Sequence, residues 1–287
     1  VAIMASTDSS RYYLPAPSHW PVVGSGALFL LAFGAVLLLN DSVSGWWPLA
    51  GGAGLLIYML FGWFGAVIRE SEAGKYNSQV DLSFRWAMGW FIFSEVMFFA
   101  AFFGALFYMR VLSVPWLGEG DTGALLWPNF EPRWPVSGPG LTDPFTPMGA
   151  LGIPAINTLI LLFSGATVTW AHWGLKLGDR RQLKVGLFLT IVLGCLFLAL
   201  QVYEYVHAYR ELGLTLGAGA YGATFFLLTS FHGLHVTLGT IMLIVIFLRA
   251  RRGHFKPEHH FGFEAVSWYW HFVDVVWLLL FVLVYWL

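Results

Sequence analysis

The 287-residue chain is 58% hydrophobic and 11% charged, with fifteen tryptophans and a formal net charge of −1. A soluble domain carries about 25% charged residues, so the composition excludes a water-soluble globular protein and describes a polytopic membrane protein. The near-zero charge offers no basic face for nucleic acid. The single cysteine, Cys195, excludes an internal disulfide framework and a multi-cysteine metal site, and reads as a small buried hydrophobe.

Residues Val1 to Ser18 are polar and Pro-containing and read as a loosely ordered tail, with no cleavage signal opening the sequence. A helix needs about 20 apolar residues to cross the hydrocarbon core. Seven stretches qualify: Trp20 to Leu39, Trp47 to Ile68, Leu82 to Arg110, Gly149 to Leu175, Val185 to His207, Tyr221 to Leu248 and Phe261 to Leu287. Their hydrophobicity is continuous rather than alternating, which predicts an all-α integral membrane protein and not a barrel. The organisation expected is a tail over residues 1–18, two helices within 19–80 and five within 81–287, divided at the mixed-charge loop from Arg69 to Asp81. No internal repeat or pair of broken helices suggests a transporter.

Lys and Arg fall almost entirely on one side. Arg11; Arg69, Lys75 and Arg85; Lys176, Arg180, Arg181 and Lys184; and Arg249, Arg251, Arg252 and Lys256 make twelve, against Arg110, Arg133 and Arg210 on the other side. The positive-inside rule then predicts an inside N-terminus and an outside C-terminus. The long connection from Val111 to Met148 lies outside. It is rich in Pro, Gly and Trp, carries Glu119, Asp121, Glu131 and Asp143 against Arg133, and is longer than an idle loop usually is.

Ionisable groups at membrane depth are functional hypotheses by default. Glu95 lies about 20 Å from the inner end of its helix, among apolar or small neighbours. It reads equally as a neutral carboxylic acid hydrogen-bonded within the bundle and as a proton-handling or partner-facing group. Glu204 with His207, His232 with His235, and His271 with Asp274 are i,i+3 pairs, each on one helix face. The six are expected to meet in the outer half of the bundle as a buried polar network. Glu204-x-x-His207 has di-iron spacing, but a di-iron bundle needs a second such motif with two further glutamates, and the sequence has no second Glu-x-x-His. A bis-histidine haem is the other metal reading. The network is preferred, and no metal site is assigned. His259-His260, Arg251 and Arg252 read as interfacial residues that set topology, and Arg249, at the end of a span, is placed for a lipid phosphate.

The C-terminal string His259-His260-Phe-Gly-Phe-Glu-Ala-Val-Ser-Trp-Tyr-Trp-His271-Phe-Val-Asp274-Val-Val-Trp resembles the signature of subunit III of the haem-copper oxidases, specifically cytochrome c oxidase. Val67-Ile-Arg-Glu70, Ile92-Phe-Ser-Glu95-Val-Met-Phe-Phe99, Asn157-Thr158-Leu159, Ser164-Gly-Ala-Thr-Val-Thr-Trp-Ala-His172 and Phe231-His-Gly-Leu-His235 extend the likeness in the family's order. The resemblance implies seven helices, with helices I–II splayed from a III–VII bundle by a cleft filled with phospholipid. It implies a subunit without redox centres of its own. Haem a, haem a3 and copper would sit in partner subunits, with subunit I as the main contact and subunit II beside it. The subunit would support proton uptake and the durability of a proton-pumping, oxygen-reducing complex.

Glu95 matches the family's carbodiimide-reactive carboxylate, and Trp63, Glu70 and Arg249 match positions lining the lipid cleft. The family often has His-His shortly after the Arg-Glu of helix II; Gly74-Lys75-Tyr76 stands there instead. The first two helices, with Trp63 and Arg69-Glu70, favour the cytochrome c branch over subunit III of quinol oxidases. The long outer loop favours a bacterial cell membrane over a mitochondrial one. The reading from another class is a self-contained membrane haem protein using His207, His232, His235 and His271.

Overall fold

The computed structural model describes residues 13–119, 123, 125–141 and 144–286. Arg11 of the charge pattern, most of the N-terminal tail, and Asp121 and Asp143 of the outer loop lie outside the described residues. Seven helices are long and apolar enough to cross a membrane: α1 (Trp20–Leu39), α2 (Trp46–Glu72), α3 (Ser78–Phe107), α4 (Ile153–Lys176), α5 (Arg180–Glu211), α6 (Gly219–Arg251) and α7 (Phe261–Leu280). Apart from a bridge between Lys256 and His259, the described residues form no β-structure. Several helices outrun their apolar stretches. α5, expected over Val185 to His207, runs from Arg180 to Glu211, because a helix bonds its own backbone and its polar ends lie comfortably beyond the hydrocarbon.

α3 overturns one expected boundary. It does not stop at Arg110 but widens into a π-helical turn, Tyr108–Ser113, and continues as Val114–Gly118. The connection therefore begins near Glu119 rather than Val111. The widening sits directly before Pro115, whose ring has no N–H to return to the preceding turn. A π-helical turn, Phe281–Trp286, also ends α7.

The chain divides into two compact units between Phe84 and Arg85. In the first, α1 and α2 form a hairpin packed through small residues. A Cβ on Gly34 would stand 2.6 Å from the Leu49 backbone nitrogen, and one on Gly52 2.8 Å from that of Leu31. Such backbone-to-backbone approach is how helices associate where lipid removes the hydrophobic drive. The last part of the tail is not loose: Tyr13 packs edge-on against Tyr76 at 5.7 Å, with Lys75 over its ring.

In the second unit α4 and α5 pack tightly, turned by Gly178 at φ +76° and started by Asp179, whose carboxylate accepts from the backbone N–H groups of Arg181 and Gln182. α7 is the hub. Its fully buried Trp270 lies against Gly194 of α5 and Gly239 of α6 and donates Nε1–H to Ser164 of α4 at 2.9 Å. Two turns on, Trp277 donates to Thr158 at 2.9 Å. The outer connection has a structural task as well: Ser137 and Val136 accept the N–H groups of Ala220 and Tyr221, and Phe145 stacks on Tyr221 at 5.4 Å.

Cys195 corrects an expectation. It is exposed on the outer face of α5, because a helix apolar all round does not reveal which of its faces meets protein and which meets lipid.

Candidate functional site

The six residues expected to form one network are not brought together. His207, in the last turns of α5, pairs with the exposed Glu211 at 3.0 Å. Buried Glu204 accepts a hydrogen bond from Tyr285 at 2.7 Å. His232, enclosed by Phe197 and Trp277, donates Nε2–H to the Val273 carbonyl at 3.2 Å. His271 meets Thr169 through Nε2 at 3.2 Å, with its Nδ1 3.6 Å from Asp274. Partners thus come from whatever neighbouring helix stands opposite, which i,i+3 spacing cannot report. His207, His232, His235 and His271 each have a protein partner.

His235 belongs to Glu95. Its Nδ1 lies 2.6 Å from the Phe231 carbonyl and its Nε2 2.8 Å from Glu95 Oε2. A carbonyl oxygen only accepts, so Nδ1 carries a proton. A neutral His235 then turns a lone pair toward Glu95, and a contact this short needs a proton between the two atoms. The pair is either carboxylic acid with imidazole or carboxylate with imidazolium, and the two forms differ by one short proton transfer. Phe98, Phe99 and Tyr269 surround the imidazole at ring separations of 5.9, 5.0 and 6.3 Å. Within such an apolar collar a pair that is neutral overall avoids the cost of an isolated ion. Both residues lie in expected spans at compatible depths, but their pairing across helices is not legible in the sequence.

The remaining expected residues are described unit by unit. In the first, Trp63 is half exposed, and Glu70 accepts a hydrogen bond from Tyr76 at 2.8 Å. Burial, and then the hydrogen bond to and charge of Glu70, raise the Tyr76 pKa above its ordinary value. Tyr76 thus occupies the Glu70 carboxylate from the position where the sequence departs from the family's His-His. In the second unit Arg249 lays its guanidinium over Phe255 at 4.6 Å, beside Gly262.

One constellation went unread in the sequence. His172 of α4, with His260 and Glu264 at the start of α7, bring one ligand-capable atom each to within 4.8 Å of one another. Arg85 of α3 pairs with Glu264. His260 and Glu264 stand i,i+4 on one helix face, which was the available signal; the assignment of His259-His260 to the interface hid it.

The family model for cytochrome c oxidase subunit III matches residues 10–287. The chain is 42% identical over 284 residues to cytochrome c oxidase subunit 3 of Marchantia polymorpha, covering 99% of this chain and 98% of that one. It is 43% identical over 281 residues to the subunit of Formosania lacustris, at 97% and 98% coverage, and 40% identical over 278 to that of Papio hamadryas, at 96% of both.

Proposed function

The chain belongs to the cytochrome c oxidase subunit III family, and from that premise we propose that Glu95 and His235 form a proton-holding pair that tunes proton uptake by the oxidase. The chain is a multi-pass membrane protein and a non-redox subunit of the complex, which carries the oxidase activity through its other subunits. The observation behind the proposal is the part-buried 2.8 Å contact between Glu95 Oε2 of α3 and His235 Nε2 of α6, with Nδ1 already committed. No run of polar residues continues along α3 from Met88 to Tyr108. A proton held there is therefore stored and its charge felt nearby, rather than passed along this chain.

Subunit I, with its haem a, haem a3 and copper, is the proposed main partner, and subunit II a further one. Phospholipid is the proposed ligand of Arg249, whose planar guanidinium suits a bidentate phosphate, and of Trp63 and Glu70 in their own unit. The charge bias supports an N-terminus inside and a C-terminus outside, and the long outer connection is the support for a bacterial cell membrane. Glu95→Gln keeps shape and hydrogen bonding but cannot hold the proton. It should abolish carbodiimide labelling of this chain and leave substantial oxygen reduction. A complete loss of turnover in a fully assembled Glu95→Gln complex would make Glu95 an obligatory carrier and refute the tuning role.

A further inference from the structure

At one end of the second unit, two imidazoles and a carboxylate face a common point. His172 Nε2 stands 3.4 Å from His260 Nε2, His260 Nε2 3.2 Å from Glu264 Oε1, and His172 Nε2 3.7 Å from the same oxygen. Zinc bonds to histidine nitrogen and carboxylate oxygen are about 2.0–2.2 Å, which sets neighbouring ligands of a tetrahedral ion about 3.3–3.6 Å apart. The triangle brackets that spacing.

The proton inventory also favours a cation. His260 Nδ1 lies 3.2 Å from the Lys256 carbonyl, so Nδ1–H donates there and a neutral His260 presents only a lone pair at Nε2. That lone pair faces Glu264 Oε1, another acceptor. Of the three facing atoms only His172 Nε2 has a proton to offer, and one proton cannot satisfy three edges. The surroundings act as outer-shell supports do in metal sites: the Lys256 carbonyl fixes the His260 tautomer, and Arg85 holds Oε2 of Glu264 so that Oε1 turns inward. The side chains of His172, His260 and Glu264 are 18%, 9% and 13% exposed, shielded but reachable.

We propose that His172, His260 and Glu264 bind a first-row divalent transition-metal ion, zinc fitting best, with water as the fourth ligand. Two imidazoles and a carboxylate suit zinc; magnesium and calcium prefer oxygen alone. The ion ties α4 to α7, and Arg85 brings α3 into the same cluster. The site shares no residue with the Glu95–His235 pair and stands independently of the role proposed for it.

The test uses the full chain in detergent, stripped by a chelator and titrated with cobalt(II). One equivalent should bind with the intense visible bands of tetrahedral cobalt, and zinc should displace it. His260→Gln should weaken binding by more than the about 10–100-fold that loss of an outer-shell partner costs, whereas His259→Gln, its exposed neighbour, should leave affinity unchanged. X-ray absorption of the zinc-loaded wild type needs no variant: it should show two imidazoles and an oxygen donor at about 2.0–2.2 Å. Weak six-coordinate cobalt bands, a zinc shell with fewer than two imidazoles, or equal losses in the two variants would overturn the site and leave a hydrogen-bonded histidine pair.

Discussion

Two glycines of α6, six residues apart, should respond to alanine with opposite signs. A Cβ built on Gly233 meets nothing within 4 Å, whereas one on Gly239 stands 2.9 and 3.0 Å from Cε3 and Cζ3 of Trp270 and 3.4 Å from Tyr269. The indole has little room to yield. It is fully buried, a Cβ on Gly194 across the gap would stand 2.8 Å from its Cη2, and its Nε1–H is held by Ser164. Replacing glycine by alanine inside a helix gains about 0.5–1 kcal/mol where space is open. Overpacking a close-fitted site costs about 1–3 kcal/mol. Gly233→Ala should therefore stabilise the chain by about 0.5–1 kcal/mol, and Gly239→Ala should destabilise it by about 1–2 kcal/mol net. Detergent-titrated unfolding of the purified chain, followed by far-ultraviolet circular dichroism, measures both. Equal effects at the two positions would mean that Trp270 is not clamped between α5 and α6, and the account of the helix-bundle core would fail.

Topology is tested by a cysteine at Arg180, which a membrane-impermeant reagent should fail to label from outside in intact cells; outside labelling would reverse the orientation drawn from the charge bias. Arg249→Ala should lower the tightly bound phospholipid count and shorten the working life of the complex, and unchanged lipid content by mass spectrometry would remove Arg249 as a ligand. Tyr76 links stability to high pH. Its raised pKa means that the folded state keeps a proton which the unfolded chain gives up near pH 10.0. The contribution is therefore complete below that pH and lost as pH rises through the folded value. Hydrogen exchange at the end of α2 should accelerate above pH 10.0 in the wild type and be flatter in Tyr76→Phe, and identical pH profiles would contradict the bond to Glu70.

Composition and hydropathy determined the class, and the seven spans follow from one physical fact: lipid cannot satisfy a bare backbone, so long apolar runs become helices. The motif strings carried the family, because residues such as Glu95, His235 and the His271–Asp274 stretch keep their order and spacing along the chain. Which groups meet was decided by tertiary structure alone. Spacing of i,i+3 reports a shared face but not what stands opposite it, so Glu204 went to Tyr285, His232 to a backbone carbonyl and His235 to Glu95. The same blindness put Cys195 inside when it is exposed, since core-facing and lipid-facing residues are equally apolar. The cluster of His172, His260 and Glu264 needed two helix ends, 88 residues apart between its histidines, to arrive at one point, and only packing sets where helix ends arrive.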